Sequence, residues 1–249
     1  MAERLSGRIA VVSGAAAGLG RAAAIRLATE GVVIEILDLK DASAVAAEIR
    51  GAGGQAHSIL CDCTDEEQVA RAAKEIEGRH GRVDILVNNA GILTGRKPWY
   101  TLTKEEVNRY VQVNYIGYFL VTKAMYPLIK KSATPRVIMV ASRTYFLANP
   151  GQMSYVASKG AVMGMTRVLA KEMGDEGITV NAVMPGMVAT PGTMEHSQEE
   201  AFNRVMNNQA IKRRVTPEIF AGLIAFLASD DAELITGQMI ICDGGGYLH

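Results

Sequence analysis

The chain has 249 residues and a mass of 26.7 kDa, enough for one large α/β domain or two small ones. Hydrophobic residues make up 49% and charged residues 21%, a balance that fills a core and excludes an intrinsically disordered chain. Twenty-six basic and twenty-six acidic side chains cancel, so no electrostatic footprint for nucleic acid exists.

The aromatic share is low, and Ala, Gly, Val and Ile are plentiful, which suits helices laid closely on a buried parallel sheet. Without an apolar run of about eighteen residues, no membrane span is expected. The segment before Ile9 carries charges and has no apolar signal core, so a cytoplasmic protein is expected. Cys61, Cys63 and Cys242 then read as reduced thiols. With His57, His80, His196 and His249 scattered, no metal site is expected.

In chain order, Ile9–Ser13 reads as a strand and Leu19–Thr29 as a helix ended by Gly31. Val32–Asp38 is a second strand, 42–50 an Ala-rich helix, and Ala56–Cys61 a third strand. Thr64, three residues before Glu67, predicts a capping box opening a helix to about Arg79. Val83–Asn88, Arg136–Ser142, Thr179–Met184 and Gln238–Cys242 are further strands. Between them lie helical stretches at Thr103–Lys131, Gln152–Met173 and Pro217–Ser229. Such alternation predicts βαβ units in a Rossmann-type, doubly wound α/β fold: one parallel sheet of about seven strands with helices on both faces. No linker divides residues 1–249, so one domain is expected. The one long interruption, about 185–214, follows the carboxyl end of a strand, where open α/β sheets bind ligands.

The first βα turn reads Ser13-Gly14-Ala15-Ala16-Ala17-Gly18-Leu19-Gly20. Glycines between strand and helix allow a tight turn and let a pyrophosphate approach the helix N-terminus. Asp38 ends the next strand, twenty residues after Gly18, followed by Leu39 and with Lys40 close by. Its carboxylate suits both ribose hydroxyls of adenosine and repels a 2′-phosphate, which favours NAD over NADP; a helix cap is the other reading. Tyr155 and Lys159, four apart on a helix, share one face. An ammonium beside the phenol would lower its pKa from about 10 and fit it for proton exchange.

These motifs in this order resemble the short-chain dehydrogenase/reductase family across essentially the whole chain. The likeness rests on the Gly-rich turn, Asp62, Asn88-Asn89-Ala90-Gly91, Asn114, Ser142 thirteen residues before Tyr155, Tyr155-x-x-x-Lys159, Pro185-Gly186 and Asp243-Gly244-Gly245. It implies that Tyr155 is the acid/base, that Ser142 hydrogen-bonds the substrate oxygen, and that Lys159 binds the nicotinamide ribose and tunes Tyr155. Asn114 would hold a water linking Lys159 to solvent. Asp62 and Cys63 would contact adenine, Asn89, Ala90 and Gly91 would border the nucleotide, and Pro185, Gly186, Val188 and Thr190 would hold the carboxamide end. The family's pocket segments correspond here to Leu93 and Thr94, then Tyr145, Phe146 and Leu147, then Met187, Val188 and Met194. Two readings stand: an apolar pocket for a hydrophobic or aryl secondary alcohol or ketone, or side chains that merely pack on helices. Arg96, Lys97 and Arg143 leave room for an acidic substrate.

The wider pattern is similar to bacterial NAD-linked secondary-alcohol dehydrogenases. A 3-oxoacyl-carrier-protein reductase is the alternative, against which Asp38 speaks because such reductases generally use NADPH. A sugar or polyol dehydrogenase and a non-catalytic nucleotide-binding regulator are further readings. The departures are Ser13 for a usual Thr, Cys63 for a usual Val, and Arg143 after the serine, expected by strand alternation to point away into a structural or interface contact. Glu35 inside a buried strand has no functional reading. The resemblance also implies a homotetramer. One interface would use the helices at Thr103–Lys131 and Gln152–Met173, with Ala157, Gly160, Ala161 and Gly164 allowing close approach. The second would lie near the last helix and strand, with Tyr247-Leu248-His249 able to reach a neighbour's pocket.

Overall fold

The computed structural model describes residues 5–93 and 95–248; Thr94, His249 and the first four residues, named above, lie outside it. Seven parallel strands form one sheet in the order β3-β2-β1-β4-β5-β6-β7. They are β1 (Ile9–Ser13), β2 (Val33–Asp38), β3 (Ala56–Leu60), β4 (Ile85–Asn88), β5 (Arg136–Val140), β6 (Thr179–Pro185) and β7 (Met239–Cys242). The expected doubly wound fold is therefore present, with strand ends mostly within a residue or two of those read from the sequence.

Alternation along the strands divides the core in two. Ala10, Val12, Ile34, Ile36, Ile85 and Val87 face one layer. That layer is built on α1 (Gly18–Ala28), α2 (Ser43–Gly51) and α10 (Pro217–Leu227). Val11, Leu37, Leu86, Val137 and Met139 face the other. Its helices are α3 (Glu66–His80), α5 (Gly117–Ile129) and α7 (Met153–Glu172). β1, β4 and β5 are buried on both sides, which explains why they read as nearly continuous apolar runs, whereas the edge strand β3 is half exposed.

Glu35 finds its physical account here. It is fully buried on β2, and its two oxygens meet Arg79 Nη1 at 2.6 Å and His80 Nε2 at 2.7 Å, both at the end of α3. A buried carboxylate so paired ties helix to sheet.

Three local expectations are corrected. Helix α3 is capped by Asp65, whose carboxylate accepts from the N–H groups of Glu67 and Gln68, while Thr64 Oγ1 donates to Asp62 instead. A charged acceptor one residue nearer the helix outcompetes the hydroxyl. A capping box does form at Thr103 and Glu106, opening α4 (Lys104–Val111). The helical stretch at Thr103–Lys131 is not uniform: a π turn, Gln112–Ile116, separates α4 from α5. The interruption at 185–214 contains two helices, α8 (Pro191–Met194) and α9 (Glu199–Asn207), the latter anchored by buried Phe202. A short helix unseen in the sequence, α6 (Thr144–Leu147), follows β5.

Candidate active site

Strand order reverses at β1, whose neighbours are β2 and β4, and the carboxyl ends of these strands open a crevice. Ser13 lies buried at its floor, where its hydroxyl accepts from the N–H groups of Asn89 and Ala90 at 3.0 and 3.1 Å. Asn89 turns its amide toward the Gly-rich turn, donating to the carbonyls of Ser13 and Gly14 at 3.0 and 2.8 Å. Asn89 thus shapes the cradle from behind.

The glycines are set by that closeness. Gly14 adopts φ +67°, and a Cβ on it would lie 2.6 Å from Ala90 Cα; one on Gly20 would lie 2.3 Å from the Gly14 carbonyl oxygen. Gly18, at φ +60°, brings the turn against Thr190, whose hydroxyl caps α8. Asp38 accepts from Ala16 N at 2.8 Å and Lys40 N at 2.9 Å, which seats its carboxylate on the rim of the turn while Leu39 points to solvent. A bare cradle at a helix N-terminus, rimmed by a carboxylate, fits the pyrophosphate and ribose of a dinucleotide. Asp62 holds Thr64 through its backbone and hydroxyl, and Cys63 is buried against Gly117. Gly186, just after the end of β6, lies close against Asp243, and Val188 is buried just beyond.

Ser142, beyond the end of β5, and Tyr155, on α7, line one cleft of about 360 Å³. Thr144 donates to Ser142 Oγ through its hydroxyl at 2.8 Å and its N–H at 3.3 Å, which leaves the serine proton to be donated into the cleft. Tyr110 packs edge-on to Tyr155, with ring centroids 6.3 Å apart. Lys159, one turn further along α7, is buried and donates to the Val140 carbonyl at 2.7 Å and to Tyr118 Oη at 3.2 Å.

Electrostatics overturn one expectation. Burial raises the Tyr155 phenol above its ordinary value, and the Ser142 hydroxyl pulls only partly the other way. Burial also brings the Lys159 ammonium down to about 7. The phenol is not lowered here because the ammonium spends its hydrogen bonds on Val140 and Tyr118, and desolvation penalises both charged forms.

Asn114 sits in the π turn and is locked: Ile92 N donates to its Oδ1 at 2.8 Å, and its amide donates to Ile92 O and Ser158 Oγ. A Cβ on Gly91 would lie 3.1 Å from Asn114 Oδ1 and 3.6 Å from Lys159 Nζ, so glycine keeps the space between those atoms clear. Thr144, Ser158 and Tyr118 are site residues that spacing did not announce, since each acts by contacts formed only on folding.

The cleft is more polar than the sequence implied. Leu93, Leu147, Met187 and Val188 line it, but Tyr145 and Phe146 do not. Tyr145 lies on Gly160 of α7, where a Cβ would come within 2.9 Å of its ring, so in-chain packing accounts for that glycine. Phe146 stacks on Tyr247, with ring centroids 5.0 Å apart. Met194 lines an adjoining outer chamber of about 710 Å³. Arg143 makes the expected structural contact, a buried ion pair to Asp243 at 2.7 Å, yet it also forms part of the cleft wall with Ser142.

A family model described as Enoyl-(Acyl carrier protein) reductase matches residues 14–247. Among curated proteins, 3-oxoacyl-[acyl-carrier-protein] reductase FabG of Thermotoga maritima is 35% identical, over 97% of this chain and 98% of its own. Short-chain reductase protein NovJ of Streptomyces niveus is 36% identical, over 95% and 93%. Two solved structures are also similar. A 7 alpha-hydroxysteroid dehydrogenase complexed with NADH and 7-oxo glycochenodeoxycholic acid has a TM-score of 0.93 at 31% identity, covering 99% of this chain and 97% of its own. Levodione reductase has a TM-score of 0.90 at 30% identity, covering 97% and 98%.

Proposed function

The chain belongs to the short-chain dehydrogenase/reductase family, and from that premise we propose that it is an NAD-dependent oxidoreductase interconverting a secondary alcohol and its ketone. The observation that carries this reading is the convergence of Ser142 and Tyr155 on one cleft, with Lys159 buried one turn beyond Tyr155 on the same helix, beside a glycine cradle rimmed by Asp38. Asp38 is the ground for NAD: a 2′-phosphate beside its carboxylate would be repelled. A nicotinamide dinucleotide, when bound, supplies or accepts the hydride. The Gly-rich turn and the N-terminus of α1 would hold its pyrophosphate, Asp38 its adenosine ribose, and Thr190 and Val188 its carboxamide end.

In the direction of reduction, Ser142 and Tyr155 donate hydrogen bonds to the carbonyl oxygen, and both strengthen as negative charge develops there. Tyr155 then gives up its proton to that oxygen. Lys159 supports the phenolate so formed and would hold the nicotinamide ribose. A water between Asn114 Oδ1 and Lys159 Nζ, in the space that Gly91 keeps clear, returns the proton from solvent. Leu93, Leu147 and Met187 accept an apolar or aryl substituent beside the reacting carbon. A cytoplasmic location and a homotetramer complete the reading.

Initial rates with NAD and NADP in parallel, over aryl, alkyl and polyol secondary alcohols and 3-hydroxyacyl thioesters, test it. Turnover of apolar alcohols with NAD alone is expected. Tyr155→Phe should lower kcat by a factor on the order of 10² to 10⁴ while NADH binding stays nearly unchanged. Preference for NADP with hydroxyacyl thioesters would overturn both the cofactor and the substrate reading and favour the activity named for the Thermotoga relative.

A further inference from the structure

The cleft that holds Ser142 and Tyr155 is lined by three arginines, Arg96, Arg143 and Arg204, together with His196, and by no carboxylate. Only Arg143 is neutralised, by Asp243. Among the described residues no ion pair or hydrogen bond engages the guanidinium of Arg96 or of Arg204. They reach the same wall from distant segments, Arg96 from the connection after β4 and Arg204 from α9. Neighbouring cations do find partners: Lys97 pairs with Glu106 at 2.7 Å, and Arg214 with Glu199. The outer chamber, which shares Arg96, His196 and Arg204, carries Glu195 and Glu200 on its wall, but neither is paired with these arginines.

Arg96 and Arg204 are both solvent-exposed at the mouth of the cleft, so an anion bound there would draw on two unpaired positive charges, and a guanidinium fork matches a carboxylate bidentately. We propose that the substrate carries a carboxylate, held at the cleft mouth by Arg96 and Arg204, so that the enzyme acts on a hydroxy acid and its oxo acid. The apolar walls then surround the spacer between the reacting carbon and the acid group. A volume of about 360 Å³ places that group in the same small molecule as the carbonyl. A phosphate at the far end of a long acyl-carrier arm does not share such a chamber.

This inference rests on the oxidoreductase reading, and its test separates the two. With enzyme and NADH, kcat/KM is measured for 4-acetylbenzoate and for its uncharged methyl ester. The same pair is run with Arg96→Leu, Arg204→Leu and the double variant. Binding of benzoate and of benzamide to the NADH-loaded enzyme is followed by calorimetry, a readout independent of turnover. The acid should exceed the ester by roughly tenfold to a hundredfold, the range for a charged hydrogen bond. The double variant should erase that ratio while the ester is reduced as before, and benzoate but not benzamide should lose affinity. Equal kcat/KM for acid and ester in the wild type, or an acid preference that survives the double variant, overturns the carboxylate site while leaving the oxidoreductase reading standing. If neither ketone is reduced but benzoate binding still depends on the two arginines, the site stands and the oxidoreductase reading falls. Preference for 3-oxobutyryl-CoA over its N-acetylcysteamine thioester, lost in the double variant, would assign the arginines to a distant phosphate and overturn the proposal.

Discussion

At Lys159 the fold bears a large electrostatic cost. Its ammonium is buried and held at about 7, whereas a free lysine in the unfolded chain titrates near ~10.4. Between those values the folded protein has released the proton and the unfolded chain has kept it. Stability therefore rises with pH across that window, and below about 7 the folded state carries the full cost of a buried charge. Such a difference corresponds to a few kcal/mol, on the order of 4, offset in part by the hydrogen bonds to Val140 and Tyr118. Lys159→Met should then melt higher than the wild type at pH 6, by roughly 4–8 °C for a net gain of about 2 kcal/mol, and the order should reverse by pH 10, once the wild type has regained about 4 kcal/mol. Thermal melts of the ligand-free protein at intervals from pH 6 to 10 decide it; parallel pH slopes for the two proteins would refute the assignment. The same lysine explains why Tyr155 is not lowered by a charge four residues away. Helical spacing places the two groups on one face, but where the ammonium points is settled by Val140 at the end of β5.

At the scale of elements, the π turn at Gln112–Ile116 is what carries Asn114 to Ile92 and leaves room in front of Gly91. Gly91→Ala keeps an ordinary backbone conformation yet would insert a methyl between Asn114 Oδ1 and Lys159 Nζ. We expect kcat to fall by roughly tenfold to a hundredfold with NADH affinity within twofold of wild type, since only the proton path and the lysine position are disturbed. Stopped-flow rates and fluorescence titration of NADH measure the two quantities, and an unchanged kcat would remove the water relay from the mechanism. The turn itself was not legible beforehand, because Thr103–Lys131 reads as unbroken helix and a π bulge has no composition signal. Strands were legible since their two-sided burial writes itself as apolar runs, and so was the Tyr155 and Lys159 face, which needs only helical period. Tyr145 and Phe146 were misplaced for the opposite reason. Their position follows from α6, a four-residue helix too short to leave a period, which turns one ring onto Gly160 and the other onto Tyr247. Arg204 and His196 could not be read into the cleft, because the amphipathic period of α9 marks a helix with Phe202 inward but carries no sign of where α8 and α9 fold back.

At the scale of the whole molecule, two of the apolar regions exposed among the described residues bear on assembly. One runs along α5 and α7, where Phe119 and Val168 are 45% and 54% exposed beside Ala157, Ala161 and Gly164. The other lies around α10 and the chain end, with Ile219, Phe226, Leu234 and Leu248 at the surface. Two separate self-complementary patches are what a tetramer with twofold axes requires, and one patch alone gives a dimer. We therefore expect sedimentation equilibrium to give four times the 26.7 kDa chain mass. Phe119→Glu combined with Val168→Glu should halve that mass, because carboxylates meeting their own copies across a twofold axis repel and lose their water. The second patch is untouched by that pair of changes, so a dimer rather than a monomer is the predicted product. Neither position lines the cleft, and the dimer should retain the binding of NADH. A wild-type protein sedimenting as a monomer would dispose of both interfaces. A double variant that stays tetrameric would move the first contact off α5 and α7 and leave Gly164, which has open space before it, without a reason in the fold.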